Sequence, residues 1–364
     1  MTYGFIGLGL IGGSIAKALK AAEPECRVYA YMRSAARLEL ARGEGIVDVV
    51  LTGGGDGRIR DCDILFLCTP VEVAADYLRQ LKPLLKEGAF ITDVGSTKSA
   101  MEKVTLELGM GDRFIGGHPM AGSEKSGYEF SDPVLLENIF YLLCPTPDTP
   151  PAFVERMQSV VRAIRANPYL IDAEEHDRAV AAISHLPHIA AAALVNLVHR
   201  TDGPRQTMKQ LAAGGFKDIT RIASSSPVMW QQIFSSNRAA VLEALGQYIS
   251  ALQEVEKNLR EDDMAAIHDL FAESGAYRST FADEHGLLEA QYSFSVHVQD
   301  RPGAISVISA ILAAAGINIK NIGINHNRET GSGALRVEFY DAGSCSLAER
   351  KLREYNYTVV SHRK

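Results

Sequence analysis

The sequence has few of the features that mark secreted, metal-binding or nucleic-acid-binding proteins. Its five cysteines, among 364 residues, are scattered and form no CxxC pair. This excludes a disulfide framework and a zinc site of that spacing, and it is typical of a reducing compartment. Positive charge is not in excess, because 44 acidic residues outnumber 37 basic ones and the net charge is −7. We therefore expect neither a nucleic-acid-binding protein nor a basic membrane binder.

Targeting segments, long apolar runs and repeats are also missing. The N-terminal stretch FIGLGLIGGSIAKAL is apolar, but no basic region precedes it and its glycines are regularly placed. We therefore predict no signal peptide and no transmembrane helix. No period between about 20 and 50 residues recurs, which argues against a solenoid. A chain with 46% hydrophobic and 22% charged residues is expected to form two or three cytoplasmic globular domains without a metal.

Three regions with different hydrophobic patterns follow one another. Residues 1–171 alternate short apolar runs with amphipathic stretches, which predicts an α/β Rossmann domain with a parallel sheet and helices on both faces. Residues 172–286 show helical spacing only, and we expect the alanine-rich segment HIAAAALVNLVHR to be a buried helix. This all-α region serves dimerisation or forms a monomeric bundle. Residues 291–364 show the βαββαβ order of a ferredoxin-like module.

A glycine-rich motif lies between the first predicted strand and the first predicted helix, in the context of a dinucleotide-binding turn. Its glycines have distinct roles: Gly7 makes the tight turn, Gly9 lets a pyrophosphate approach the backbone, and Gly12 lets helix and strand pack closely. The phosphate then lies on the helix N-terminus. The other residues that we assign to the cofactor site are Leu10, Ile11 and Thr69.

The second predicted strand does not end in the acidic residue that holds the ribose 2′-hydroxyl of NAD. It ends in YMRS, and the next acid is Glu39. Arg33 and Ser34, together with Arg37, are suited to the 2′-phosphate of NADP. Alternatively, Arg33 stacks on the adenine or is a solvated charge. The residues at the end of this strand weakly favour NADP over NAD, and the choice between the two cofactors stays open.

Four further segments place polar side chains beside glycine or proline. They are DVGSTK at 93–98, HPMAGSE at 118–124, SHLPH at 184–188 and FKDITR at 216–221. The first two follow predicted strands, at the carboxyl edge of the sheet where ligands bind. We expect SHLPH to break into the alanine-rich helix. Each segment alone is compatible with a structural turn or with solvated charges.

Together these motifs resemble those of the prephenate/arogenate dehydrogenases of tyrosine biosynthesis. The resemblance covers residues 1–286 and is carried by GLGLIGGS, DVGSTK, HPMAGSEKSG, SHLPH and GGFKDITRIASSSPVMW, in that order. It implies an NAD(P)-dependent oxidative decarboxylation, in which hydride leaves C4 of a cyclohexadienyl ring and C1 loses CO2. The segments DRPGAI and AAAGINIKNI resemble an ACT domain, a regulatory module.

The resemblance also implies roles for individual residues. His118 is the catalytic base for the C4 hydroxyl, and Ser96 orients either His118 or that hydroxyl. Arg221 pairs with a substrate carboxylate, and His188 meets the side-chain carboxylate or keto group. The remaining residues implied at the substrate pocket, each also compatible with a packing or surface role, are Glu124, Lys217, Asp218 and Trp230. Asp218 is expected to orient Arg221 or Lys217.

The ACT resemblance implies edge-to-edge pairing in a homodimer and an amino-acid effector at the first strand–helix turn. The implied effector residues are Asp300, Gly303, Ala304 and Asn318. Backbone groups at Gly303 would take the ligand's carboxylate or ammonium. The logic of the pathway favours tyrosine, and an assembly module without a ligand stays open.

Three other functions stay open as well. Arogenate carries an amino group where prephenate has its keto group, and the lack of an acid beside His188 favours the keto acid. A Rossmann domain joined to an ACT domain could also be a metabolite sensor without turnover. A β-hydroxyacid dehydrogenase would have a similar layout, but it would use a lysine base on the helical domain.

Overall fold

The computed structural model describes residues 1–122, 125–281, 292–299, 301–325 and 332–361. The chain divides into two compact units, Met1–Ser279 and Thr280–Lys364. The first unit contains a sheet followed by a helical region, and the second contains a smaller sheet with two helices.

An eight-stranded sheet forms the first part of the first unit. Its strands, among the described residues, are β1 (Thr2–Ile6), β2 (Arg27–Tyr31), β3 (Val49–Val50), β4 (Ile64–Leu67), β5 (Phe90–Asp93), β6 (Phe114–Pro119), β7 (Phe140–Pro145) and β8 (Asn167–Leu170). Their spatial order is β3-β2-β1-β4-β5-β6-β7-β8. The first six strands are parallel and follow the order of doubly wound dinucleotide-binding sheets. This confirms the predicted Rossmann-like architecture.

Helices cover both faces of this sheet. They are α1 (Leu10–Ala22), α2 (Ala35–Gly43), α3 (Val71–Leu81), α4 (Ser99–Glu107) and α5 (Pro151–Ala163). Successive side chains of a strand point to opposite faces of the sheet, so adjacent residues of β4 pack in two different hydrophobic cores, one on each face. Phe66 packs in a core with side chains of α1 and α5, whereas Leu65 packs in a core with side chains of α3 and α4.

The sheet is not entirely parallel, and this part of the prediction is wrong. β7 runs antiparallel to β6, and β8 runs parallel to β7. A parallel neighbour is normally reached through a crossover helix that packs back on the sheet. In its described part, the connection between β6 and β7 instead forms short 3₁₀ turns at Tyr128–Phe130 and Pro133–Leu136, which pack against α1.

The described residues after β8 in the first unit are helical, which confirms the predicted helical region. The helices are α6 (Ala173–Val180), α7 (Leu186–Thr201), α8 (Thr207–Leu211), α9 (Gly214–Thr220), α10 (Pro227–Ser236), α11 (Arg238–Arg260) and α12 (Met264–Arg278). Asp172 caps α6, because its carboxylate accepts a hydrogen bond from the Glu175 amide at 2.8 Å.

Two expectations about the alanine-rich segment are wrong. SHLPH does not break the helix, because residues Ala173–Thr201 form one continuous helix with a π turn at Ala181–His185. The wider turn accommodates Pro187, which lacks an amide hydrogen and would crowd a regular α-helix. The segment is also not buried: in α7, only Ala191 is buried among the described residues, and Leu197 is 58% exposed. No described element of this single chain covers that apolar face.

The helix Ala173–Thr201 is long and apolar enough to cross a membrane, judged by length and composition alone. The sequence analysis predicted no such helix. His176, Asp177 and His188 lie on this same helix, and they belong to the candidate site described below.

The second unit follows the order βαββαβ within its described residues. Its elements are β9 (Ser293–Gln299), α13 (Ala304–Ala314), β10 (Asn321–Asn325), β11 (Ser332–Glu338), α14 (Ala342–Glu354) and β12 (Val359–Ser361). The sheet is antiparallel with the order β10-β11-β9-β12. Phe294 and Val337 of the sheet pack against Ile308 of α13 and Leu352 of α14.

Candidate functional site

The glycine-rich turn connects β1 to α1 at the carboxyl edge of the sheet. Gly7 has a φ of +94°, and a Cβ there would lie 2.5 Å from the Cys68 carbonyl oxygen. A Cβ on Gly12 would lie 2.7 Å from the Gly7 carbonyl oxygen, so the first turn of the helix, with Leu10 and Ile11, packs directly on the loop. No heavy atom lies within 4 Å of a Cβ built on Gly9. The space at the helix N-terminus is therefore open, which fits a phosphate group.

A cleft of about 450 Å³ extends from this turn to the end of β2. Arg33, Ser34 and Arg37 line one part of it, and Thr69 lines another. The Thr69 hydroxyl is buried and has no hydrogen-bond partner within the described residues. A buried polar atom without a partner fits a ligand that supplies one. Ser34 caps α2, because its hydroxyl accepts a hydrogen bond from the Arg37 amide at 3.4 Å.

His118, near the end of β6, belongs to a chain of three side chains. Its Nδ1 lies 2.8 Å from Nε2 of His176, and Nδ1 of His176 lies 2.8 Å from Oδ1 of Asp177. Because a carboxylate only accepts, Nδ1 of His176 carries the hydrogen and Nε2 of His176 accepts from Nδ1 of His118. Nε2 of His118 is therefore left as a hydrogen-bond acceptor. This nitrogen is the one that can take a proton from a ligand.

The end of this chain is anchored on the backbone at the start of α4. Oδ1 of Asp177 accepts from the Lys98 amide at 2.8 Å, and Oδ2 accepts from the Ser99 amide at 2.9 Å. Burial acts in the opposite direction, but the hydrogen bonds from His176, Ser99 and Lys98 together lower the pKa of Asp177. The ionised carboxylate fixes the tautomer of His176 and, through it, that of His118.

The environment of His118 keeps its imidazole neutral. Burial, followed by the neighbouring His176, Lys98 and His185, lowers the pKa of His118 well below its usual value of 6.5. At neutral pH this side chain is therefore unprotonated. A neutral imidazole with an acceptor nitrogen is a general base.

A buried ion pair holds the strand next to His118. The side chains of Lys98 and Asp93 are 1% and 4% exposed, and they form a salt bridge. Lys98 donates to the Gly117 carbonyl at 2.7 Å, and Asp93 accepts from the Gly117 amide at 3.1 Å. Both backbone groups of the residue before His118 are therefore held by this pair.

His188 and Trp230 pack on each other in the helical region. Their ring centroids are 4.0 Å apart, with 36° between the ring planes. Nδ1 of His188 lies 2.8 Å from the Ser184 carbonyl oxygen, so Nδ1 carries the hydrogen. Nε2 of His188 is therefore the ring nitrogen that is left for a ligand. The indole nitrogen of Trp230 is buried and has no partner within the described residues.

The other predicted residues lie on several elements. Ser96 is half-buried and makes no hydrogen bond to His118 within the described residues, where Nδ1 of His118 contacts His176; a hydrogen bond from Ser96 to the substrate hydroxyl stays a prediction. Arg221 lies in a turn that packs against α7. Lys217 and Asp218 are exposed on α9, and the described residues include no ion pair between Asp218 and either Arg221 or Lys217, contrary to expectation.

Two predicted residues, Glu124 and Asp300, lie outside the described residues. A cavity of about 470 Å³ in the second unit is lined by Gly303 and Ala304 together with Arg301 and the segment Tyr355–Thr358. Gly303 has a φ of +85°, and its carbonyl oxygen accepts from the Val307 amide, so that carbonyl is engaged in the helix. Asn318 does not line this cavity.

Sequence reasoning missed His176, Asp177 and Lys98. The first two lie in the segment EEHD, which was interpreted only as an acidic helix start. A histidine next to an aspartate in that segment was the available signal. Lys98 closes the motif DVGSTK, but a lysine in a loop is usually solvated, and only the fold shows that this one is buried.

A glycine-rich turn and a neutral histidine lie on one edge of a Rossmann-like sheet, which is the arrangement of a nucleotide-binding oxidoreductase. Within the described residues, no group of three His, Cys, Asp or Glu side chains is placed to hold a metal ion. The chain belongs to the prephenate dehydrogenase family. The family model for the nucleotide-binding domain matches residues 15–170, and the model for the dimerization domain matches residues 172–273.

Individual relatives agree with this assignment. A prephenate dehydrogenase of Bacillus subtilis is 37% identical and matches 94% of this chain and 93% of its own length. The crystal structure of a prephenate dehydrogenase from Aquifex aeolicus, in complex with hydroxyphenyl propionate and NAD+, is 30% identical with a TM-score of 0.71. It covers 77% of this chain and 97% of its own. A Synechocystis arogenate dehydrogenase structure is 31% identical with a TM-score of 0.69, and it covers 77% of this chain and 99% of its own.

Proposed function

We propose that the chain oxidatively decarboxylates prephenate to 4-hydroxyphenylpyruvate in tyrosine biosynthesis, with NAD or NADP as the hydride acceptor. The observation that carries this proposal is the neutral imidazole of His118. It is linked through His176 to Asp177, on the same sheet edge as the glycine-rich turn. The name of the Bacillus subtilis relative and the ligands of the Aquifex aeolicus structure support it.

The dinucleotide would be held by the turn between β1 and α1. The residues that we propose for this site are Gly7, Gly9, Leu10, Ile11, Gly12 and Thr69, with Arg33 and Ser34 at the adenosine end. When bound, the nicotinamide takes up the hydride that leaves C4 of the substrate ring. Open space at Gly9 and the Thr69 hydroxyl without a partner support this assignment.

The residues of the chain control the proton in this reaction. Nε2 of His118 accepts the proton of the C4 hydroxyl as the hydride leaves, and the C4 oxygen becomes a carbonyl. The carboxylate of Asp177, acting through His176, holds the tautomer in which Nε2 of His118 can accept this proton. The bond from C1 to its carboxylate then breaks, and CO2 leaves. The electrons of that bond complete the aromatic ring, and the oxygen takes the proton back as a phenol. Ser96 donates a hydrogen bond to the same oxygen.

Arg221 pairs with a substrate carboxylate, for which a fork-shaped and permanently charged donor is suited. His188 contacts the side chain of the substrate, and Trp230 forms a wall of the pocket by stacking on His188. Pocket-edge roles for Glu124, Lys217 and Asp218 stay predictions.

We propose prephenate over arogenate because the sequence places no acidic residue beside His188 that could pair with the ammonium group of arogenate. We therefore expect kcat/KM for prephenate to exceed kcat/KM for arogenate. A larger kcat/KM for arogenate would favour arogenate as the substrate.

We propose that the chain forms a homodimer through its helical region. Large apolar side chains of this region are exposed in the single chain, including Leu197 at 58%, Leu252 at 50% and Phe271 at 72%. These side chains lie on α7, α11 and α12, and α11 contacts the other two helices. Large exposed apolar side chains on neighbouring helices are typical of an interface. Sedimentation velocity would test the proposal: a monomer at micromolar concentration would contradict it.

For the second unit we propose an ACT-type regulatory role with an amino-acid effector, tyrosine by the logic of the pathway, in a cytoplasmic enzyme. The cavity at Gly303 and Ala304 supports an effector site in this unit. Asn318 and Asp300 stay predictions. Titration with tyrosine should lower the activity and protect the second unit in hydrogen exchange. A lack of both effects would favour an assembly module.

The first experiment is an absorbance assay at 340 nm that combines prephenate and arogenate with NAD and NADP. We expect reduction of the cofactor with prephenate, and its loss in His118→Asn. Absence of reduction in all four combinations would favour a metabolite sensor. Activity that survives in His118→Asn but is lost in Lys217→Met would favour a β-hydroxyacid dehydrogenase.

A further inference from the structure

An acidic side chain pairs with Arg37 on α2, although the sequence at the end of β2 contains no acid. Nη2 of Arg37 is 2.5 Å from Oε1 of Glu129. Arg37 lines the proposed cofactor cleft together with Arg33 and Ser34. Glu129 comes from the segment between β6 and β7, 92 residues away in the sequence. The fold therefore brings a carboxylate to a residue of this cleft.

The segment that carries Glu129 is fixed on the body of the Rossmann-like domain. Tyr128 is fully buried, and its hydroxyl donates to Glu44 at 2.7 Å. On the other side of Glu129, the Asp132 amide donates to the Ser14 hydroxyl at 3.0 Å. The backbone is therefore tied to the end of α2 and to α1 on either side of the carboxylate.

The glycine two residues earlier allows this placement. Gly127 has a φ of +115°, and a Cβ there would lie 2.6 Å from Oε2 of Glu129. Any other residue would displace the carboxylate that meets Arg37. The Glu129 backbone and the Arg37 guanidinium lower the pKa of Glu129, so the group is an anion at neutral pH.

We propose that Glu129 is a specificity-determining residue that makes the chain prefer NAD to NADP. Its carboxylate engages a guanidinium that would otherwise bind a 2′-phosphate, and it repels a phosphate at that position. A ribose 2′-hydroxyl carries no charge to be repelled. This inference rests on the proposed dinucleotide site, and it reverses the inclination towards NADP drawn from the end of β2.

The test compares two nucleotides that differ only in the 2′-phosphate, 5′-AMP and 2′,5′-ADP. Their dissociation constants would be measured by calorimetry for the full chain, for Glu129→Gln and for the control Glu39→Gln. Glu39 lies on α2 and pairs with Arg42, and both side chains are 60% exposed. The control therefore makes the same change of charge on α2 without touching Arg37.

In Glu129→Gln we expect 2′,5′-ADP to bind about 3- to 10-fold more tightly. This is the range expected when Arg37 gains an exposed charge pair with the 2′-phosphate and the repulsion by Glu129 is lost. The affinity for 5′-AMP and both affinities of Glu39→Gln should not change. The gain should shrink at high salt, because exposed charges are screened. Adding Arg37→Gln to Glu129→Gln should reduce the gain, because only the part due to the lost repulsion is then left.

Unchanged binding of 2′,5′-ADP in Glu129→Gln would overturn the proposal. An equal gain for 5′-AMP, or the same gain in Glu39→Gln, would also overturn it. A gain of the same size with and without Arg37 would overturn Arg37 as the assigned partner. Neither nucleotide carries a nicotinamide and no substrate is added, so a failure of the proposed dehydrogenase reaction would leave this result intact.

Discussion

Nδ1 of His118 lies 2.8 Å from Nε2 of His176, although 58 residues separate them in the sequence. His118 belongs to the sheet and His176 to the first helix of the following region. The proposed base and the group that fixes its tautomer therefore come from two different parts of the first unit. His176 is fully buried, so it is proposed to act on the reaction only through His118.

Replacing His118 by Asn should lower kcat by about 10²–10⁴-fold, the usual contribution of a general base. Substrate binding should change little, because asparagine keeps a polar side chain but cannot accept the proton. Steady-state kinetics at 340 nm measure both quantities. His268→Asn is the matched control, because His268 is exposed and also lies beside an aspartate. A wild-type kcat in His118→Asn would remove His118 from the mechanism.

Replacing His176 by Gln should lower kcat by roughly 10–100-fold, as is usual when the hydrogen-bond partner of a functional histidine is lost. KM should stay close to the wild-type value. Loss of the neighbouring imidazole should also raise the pKa of His118, so the acid limb of the kcat profile should move to higher pH. A merely structural role would lower the amount of active enzyme without moving that limb.

His185 should make the free energy of unfolding depend on pH. It is 1% exposed, and burial, opposed by Asp177, lowers its pKa from 6.5 to about 4. Between these values the unfolded chain binds a proton that the folded chain does not, so stability should fall as the pH falls from 6.5 to 4. Below pH 4 this contribution should stay constant.

Urea unfolding at pH 7, 5.5 and 4.5 measures this dependence. His185→Gln should reduce the slope, whatever it does to the stability at pH 7. An unchanged slope in the variant would assign the dependence to other groups.

Replacing Lys98 by Met should destabilise the fold by about 3–5 kcal/mol, because it leaves the buried Asp93 carboxylate unpaired. Adding Asp93→Asn should restore part of that loss, since the uncompensated charge disappears. Denaturant unfolding measures all three proteins. Arg79→Met is the control, because Arg79 pairs with Asp76 on the surface and should cost less than about 1 kcal/mol. Equal losses for Lys98→Met and Arg79→Met would contradict the buried pair.

Replacing Arg221 by Gln should raise KM for prephenate with little change in kcat, because the guanidinium binds a carboxylate that does not react at C4. A pair of this kind is worth about 1.5–3 kcal/mol, which corresponds to roughly 10- to 150-fold. Arg178→Gln, on α6 and paired with Glu174 at the surface, is the control. A fall in kcat at unchanged KM would instead place Arg221 at the reacting centre.

Much of the fold was predictable because its signals are local. The glycines at the first turn, the period of the strands and the acids before α6 each specify a nearby piece of backbone. Asp172, for example, caps its helix with a hydrogen bond to a residue three positions away. The sequence also predicted that DVGSTK and HPMAGSE follow strands; in the structure each motif begins inside the strand, because β5 ends at Asp93 and β6 ends at Pro119.

The features that the sequence did not predict depend on distant contacts. The direction of β7 follows from a connection that packs on α1 instead of forming a crossover helix. Glu129 reaches Arg37 only because the fold brings their segments together. An apolar stripe such as that of α7 looks the same whether its own chain or a second copy covers it, so its exposure could not be predicted.

The π turn at Ala181–His185 sets the phase of the long helix that carries His176 and His188. Successive side chains of an α-helix point in directions about 100° apart. Adding or removing one residue in this turn therefore rotates the side chains after the turn relative to those before it. Deleting a single codon between 181 and 185 would therefore turn His188 away from Trp230 while His176 stays at His118. Such a deletion should be as damaging as the loss of His188 itself, although it removes no residue of the site.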